Sequence, residues 1–230
     1  MPSVLNEYDK LKTIDWYLYF KDELSEYFYN YNGDKREEGF LERRELIVKT
    51  LVKAIKNKEI VIGDHGEEFD IERKKIDTIV VHMTGSSSKK NDKRDVDYLN
   101  ALDLIRLYCP IYSEQNREYY SKAIYSGHFY KDYQTFIPYH YLVDSDGIFE
   151  NILKDEYIGW HAGNWDINCR SIAIAFYGNF SDSSPSKIAL ESARNIIKKY
   201  EDVKILAHKE VNSITKCPGE KFSLWKDKLI

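Results

Sequence analysis

Hydrophobic residues recur at three- and four-residue spacing from Glu38 to Lys56, where Leu41, Leu46, Ile47, Leu51, Val52 and Ile55 alternate with Lys, Arg and Glu. That period puts the apolar side chains on one face and predicts an amphipathic helix. Gly63-Asp64-His65-Gly66 ends the pattern, and from Ile76 the texture changes to short β-branched runs. A boundary is expected near residue 72, with a helical N-terminal region of unassigned role over 1–72 and a second domain over 73–230.

Ile76-Asp77-Thr78-Ile79-Val80-Val81 reads as a buried strand that delivers His82 at its C-terminal end. The Gly/Ser and Lys/Asp/Arg stretch over 85–97 reads as solvated loop, and 97–130 as a helix followed by a long loop. Phe136 to Val143 predicts a strand, Asp144-Ser145-Asp146-Gly147 a turn, and Ile148-Phe149-Glu150 the returning strand of a hairpin. Ser171 to Tyr177 is another strand. Ser184-Pro185 then supplies a cap and a first-turn proline for a helix whose apolar face is Ala189, Ala193, Ile196, Ile197 and Tyr200. A last strand, Val203 to Ala207, ends at His208. Strands alternating with helices predict an α/β domain with helices packed on a sheet.

Composition adds limits. The 230 residues, 43% hydrophobic and 31% charged, suit a folded globular chain. A net charge of −4 offers no footprint for nucleic acid or an anionic membrane. No apolar run is long enough to span a bilayer, and the N-terminus lacks the basic start and apolar stretch of a signal peptide, so synthesis in the cytoplasm is expected. Three cysteines are too few and too scattered for a disulfide framework. Cys109 and Cys169 read as small apolar residues, and His65 and His128 as ordinary ones.

Two histidines, His82 and His208, each follow a short apolar strand, and Cys217 comes soon after the second, in Thr215-Lys216-Cys217-Pro218-Gly219. Two imidazoles and a thiolate supply three ligands and leave a fourth tetrahedral position for water, the pattern of a catalytic rather than a structural zinc. A histidine at a strand end also serves as a hydrogen-bonded structural residue, and these residues alone leave both readings open.

Further motifs occur in order: Val80-Val81-His82-Met83-Thr84, Pro138-Tyr139-His140-Tyr141-Leu142-Val143-Asp144-Ser145-Asp146-Gly147, Gly159-Trp160-His161-Ala162-Gly163, Ser171-Ile172-Ala173-Ile174 with Gly178-Asn179-Phe180, and Ala207-His208-Lys209-Glu210-Val211 with Thr215-Lys216-Cys217-Pro218-Gly219. Together they resemble the type 2 N-acetylmuramoyl-L-alanine amidases, the family that includes a phage lysozyme and the peptidoglycan recognition proteins. The resemblance runs over about residues 75 to 222, and nothing before residue 72 takes part. It implies a central mixed β-sheet flanked by helices, here with an N-terminal helical extension.

It also implies a zinc amidase that cuts between N-acetylmuramic acid and L-alanine, with peptidoglycan or muropeptides as partner. His82, His208 and Cys217 fall on the metal ligands. Tyr139 falls on the tyrosine beside the nucleophilic water, and Thr215 or Lys216 on the group near the oxyanion. His161 is carried over as a substrate-groove residue rather than a ligand. Asn164 joins it, and Trp160 and Trp165 either stack on sugar rings or pack. His140, next to Tyr139, is expected to face the other way as a structural residue. The cytoplasmic bacterial branch carries a glutamate where this chain has Ala175, so that branch's base is missing and its part falls to Tyr139. The 86–132 stretch resembles an insertion near the site. Retention of all three ligand types favours an enzyme, and the tyrosine-type site leans toward an endolysin, for which release to the cell wall is one route, over a cytoplasmic wall-recycling enzyme. The alternative is a recognition protein that binds muropeptides without cutting them.

Overall fold

In this computed structural model the described residues are 4–19, 39–63, 68–85, 95–110 and 122–230; His65 and the 86–94 part of the polar loop lie outside them. They form two compact units, one from residues up to 68 together with 95–137, the other from 69–94 with 138–230. No helix among the described residues is long and apolar enough to cross a membrane.

The first unit is built on the Phe40–Lys56 helix. It buries Ile47, Val48, Leu51, Ala54 and Ile55 against Leu11, Trp16 and Tyr17 and against Leu102, Leu104, Ile105 and Phe136. Of the periodic positions read from sequence, Ile47, Leu51 and Ile55 are buried, and Leu46 and Val52 pack against them partly buried. Residues 95–137, which take in most of the 86–132 stretch expected as an insertion, supply part of this unit's core. Within them Asp95 caps the Val96–Asp103 helix by accepting from the Tyr98 N–H at 2.9 Å. The helix passes into a π-helical turn over Leu104–Tyr108.

The described strands, in chain order, are β1 (Thr78–Met83), β2 (Phe129–Tyr130), β3 (Tyr133–Gln134), β4 (Tyr141–Val143), β5 (Phe149–Asn151), β6 (Ser171–Phe176) and β7 (Lys204–Ala207). β2 and β3 make a small antiparallel ladder in the first unit, where the sequence predicts only helix and loop. The other five form the sheet of the second unit in the order β5-β4-β6-β1-β7. β1 runs parallel to β6 and β7, β4 parallel to β6, and β5 antiparallel to β4. The expected α/β architecture with a mixed sheet is what the chain adopts.

Alternation sorts the strands into two faces. Ile79, Val81, Ile172, Ile174 and Phe176 face the Lys187–Ile197 helix and the C-terminal Phe222 and Trp225. Each fully buried aliphatic there contributes about 1.5–3 kcal/mol of hydrophobic stabilisation. Val80 faces the other way, against Ala162 and Ile167. His82, two residues on, shares that side.

Several boundaries differ from the sequence reading, two of them with a clear cause. The expected 136–143 strand is only Tyr141–Val143, and its pairing begins at His140, whose N–H donates to the Ala173 carbonyl. Pro138 has no N–H to give a ladder. Upstream, the Phe136 N–H is taken by Asn100 Oδ1 at 2.6 Å. The helix expected to be capped at Ser184 starts two residues later. Ser186 Oγ accepts from the Ala189 N–H at 3.1 Å, and Pro185 precedes the cap.

Candidate metal centre and active site

β1 and β7 are neighbours and parallel, with Val81 opposite Ala207. The next residue along each strand is a histidine, so the sheet sets His82 and His208 side by side at its C-terminal edge. Their ring centroids are 4.5 Å apart. His208 opens the short His208–Val211 helix, where Glu210 reaches back to accept the Ala207 N–H at 2.6 Å and fixes the exit of the chain from β7. Cys217 returns beneath them. Its carbonyl accepts the Lys209 N–H at 2.8 Å, and its Sγ accepts the Met83 N–H at 3.2 Å.

The ligand atoms of His82, His208 and Cys217 lie within 4.8 Å of one another. His82 Nδ1 and Cys217 Sγ are 3.8 Å apart. A tetrahedral centre with bonds of about 2.0–2.3 Å separates its ligands by roughly 3.5 Å. His208 Nε2 is buried and has no hydrogen-bond partner among the described residues. An unpaired buried ring nitrogen costs free energy unless something takes its lone pair or its proton. A cation between the three side chains would do so, and the donor set suits zinc.

The protonation states agree. Burial, with the neighbouring histidines adding to it, holds His82 well below the usual imidazole range, so the ring is neutral, the form that ligates. Burial also lowers His208, against a hydrogen bond to the Ala162 backbone. The Cys217 thiol is pushed up to about 11 by burial, with the Met83 N–H opposing. Alone it stays a thiol at neutral pH. A bound cation is what makes the thiolate favourable.

Tyr139 stands beside the set, its ring centroid 5.0 Å from that of His82. Ala175 is the direct strand neighbour of His82 and so adjoins the His82, His208 and Cys217 set. Thr215 Oγ1 accepts the Cys217 N–H at 3.1 Å. Lys216 points outward, its side chain 84% exposed and 3.7 Å from Glu220.

His161, expected as a substrate-groove residue, lies against His82. It is 5% exposed, with Nδ1 3.0 Å from His82 Nε2 and Nε2 3.1 Å from Ser171 Oγ. Asn164 caps the Trp165–Arg170 helix by accepting from the Ile167 N–H. Trp160 and Trp165 pack edge-on against each other and against Phe69, and the Trp165 indole N–H donates to Glu72 at 2.8 Å. His140 is structural as expected. Its Nε2 bonds the Tyr157 carbonyl, and its Nδ1 accepts the Ala173 N–H. Gly159 is required between these rings: a Cβ there would stand 2.2 Å from the Pro138 carbonyl oxygen and 3.2 Å from both His140 and His161.

Sequence reading passed over Ser171, the Met83 N–H and Arg73. Arg73 donates to the carbonyls of Asp155, Asn168, Cys169 and Ser171, tying the start of β6 to the chain before it. No spacing rule finds such a residue, because its partners lie 82 to 98 positions away.

The sequence pattern of the N-acetylmuramoyl-L-alanine amidases matches residues 72–220. The chain is 35% identical over 92 residues to peptidoglycan-recognition protein SD of Drosophila melanogaster, a stretch amounting to 36% of this chain and 47% of that one. It thus spans about half the length of the curated relatives it matches. Among solved structures, Drosophila peptidoglycan recognition protein SD aligns with a TM-score of 0.41 and 23% identity, over 70% of this chain and 80% of that one. The endolysin N-acetylmuramoyl-L-alanine amidase LysCS of Clostridium intestinale URNW aligns with a TM-score of 0.46 and 21% identity, over 74% and 95%. Since the matched pattern takes in well over half of the residues, including every member of the His82, His208 and Cys217 set, the chain belongs to the N-acetylmuramoyl-L-alanine amidase family.

Proposed function

We propose that this chain is a zinc-dependent amidase that hydrolyses the bond between N-acetylmuramic acid and L-alanine in peptidoglycan, as a lytic enzyme of endolysin type. The observation that carries the reading is the convergence of His82, His208 and Cys217 with an unpartnered buried nitrogen on His208. Zinc in such a site supplies Lewis acidity, which lowers the pKa of water toward neutrality and polarises a carbonyl.

The chain's own residues do the rest. Tyr139, beside His82, accepts a hydrogen bond from the attacking water at its hydroxyl oxygen, the acceptor that a glutamate at Ala175 would otherwise supply. Thr215 is the better placed of the two oxyanion candidates: its Oγ1 is anchored on the Cys217 N–H, which leaves its own O–H to donate. Lys216 is turned out toward Glu220. The Phe69, Trp160 and Trp165 cluster offers an apolar surface to a sugar ring, with Asn164 at its edge.

A second reading, a recognition protein that binds muropeptides without cutting, is favoured by the name of the Drosophila melanogaster relative. Digestion of purified peptidoglycan followed by mass spectrometry separates the two. The amidase reading expects about one zinc per chain and peptides beginning at L-alanine, both lost with chelator and in a His82→Ala, Cys217→Ala double variant. Binding of muropeptides by zinc-loaded protein with no such peptides released establishes the second reading instead.

A further inference from the structure

His82 has two ring nitrogens, and the structure gives each a different neighbour. Nδ1 faces Cys217 Sγ at 3.8 Å, and Nε2 lies 3.0 Å from His161 Nδ1. The row continues from His161 Nε2 to Ser171 Oγ at 3.1 Å. His82 and Ser171 are fully buried and His161 nearly so. The far end is anchored: Ser171 is the first residue of β6, paired in register with Thr78 of β1, and its carbonyl accepts from Arg73 at 3.0 Å.

Counting protons along this row fixes its direction. A neutral His82 that offers the Nδ1 lone pair to a cation must carry its proton on Nε2. That N–H then needs an acceptor, and His161 Nδ1 is in reach. A neutral His161 that accepts at Nδ1 carries its own proton on Nε2, and Ser171 Oγ accepts it. The opposite arrangement, with the proton of His161 on Nδ1, makes His82 accept at Nε2 and protonates Nδ1, which blocks ligation.

We propose that His161 and Ser171 are positioning residues for His82, locking its ring orientation and the tautomer that frees Nδ1 for a metal. The proposal rests on the reading of His82, His208 and Cys217 as a zinc site. Outer partners of this kind are typically worth about 10- to 100-fold in metal affinity.

The test measures zinc affinity by chelator competition on the full chain. His161→Ala is expected to weaken it by about 10- to 100-fold, Ser171→Ala by a smaller factor, and His161→Gln to recover most of the loss, because a side-chain carbonyl can still accept from His82 Nε2. Nitrogen NMR of the zinc-loaded wild type should show the proton of His82 on Nε2 and slow to exchange, becoming fast in His161→Ala. A role in packing alone moves neither the ring proton nor the rescue by Gln. Should His161→Ala fail to fold, as judged by circular dichroism, Ser171→Ala and His161→Gln decide. Folded variants that hold zinc as tightly as wild type overturn the positioning role while leaving the amidase reading intact. A wild-type chain that takes up no zinc overturns both.

Discussion

Asp103 closes the Val96–Asp103 helix, is 6% exposed, and its Oδ2 has no hydrogen-bond partner among the described residues. Burial pushes its carboxyl up from 3.8 to about 7, with Arg106 acting weakly against that. The folded protein therefore holds a proton that the unfolded chain releases near pH 4. Where the native state binds more protons, stability falls as pH rises. The loss should begin near pH 4 and level off above about pH 7. Three pH units at ~1.4 kcal/mol each give ~4 kcal/mol as an upper bound, and the two units between pH 5 and 7 account for ~3 kcal/mol of it.

Asp103→Asn keeps the shape and cannot ionise. A buried amide has its own unmet hydrogen bonds, costing ~1–3 kcal/mol, but that cost does not change with pH. The informative quantity is the change in the wild-type-to-variant difference between pH 5 and pH 8, expected at ~2–3 kcal/mol in favour of the variant at the higher pH. Urea unfolding followed by circular dichroism at the two pH values measures it, with hydrogen exchange of the Leu99, Ala101 and Leu102 amides reporting the first unit itself. Parallel stability curves for the two proteins across this range would refute the reasoning.

Tyr139→Phe removes one hydroxyl and keeps the ring against His82, so zinc content should stay unchanged while release of L-alanine-terminated peptides falls by about ten- to a thousand-fold; cleavage at the wild-type rate eliminates Tyr139 from the mechanism. Gly219→Ala combines a φ of +120° with a Cβ placed 2.1 Å from the Phe180 carbonyl oxygen. It should cost more than ~2 kcal/mol in urea unfolding and lower zinc content by shifting the Cys217 segment.

The sequence by itself determined the features that depend on local pattern. The Phe40–Lys56 helix follows from its apolar period, and β1, β6 and β7 from β-branched runs too short for helices. His82, His208 and Cys217 were legible as a candidate set because two of them directly end or follow a strand and the third lies nine residues on. Tertiary structure decided what depends on partners far along the chain. Strand 136–143 shrank because Pro138 cannot donate and Asn100 claims the Phe136 N–H. Residues 95–137 joined the first unit because their apolar side chains share its core.

His161 shows the limit best. The family resemblance implies a groove residue there, and no local pattern indicates that its ring nitrogens meet His82 and Ser171, 79 and 10 positions away, in the interior. Local pattern tells which face of an element avoids water, because burial of apolar area depends on period alone. Which polar atom meets which depends on hydrogen bonds effective only near 3 Å, and only the folded sheet, with β1 and β6 in register, brings His82, His161 and Ser171 within that distance.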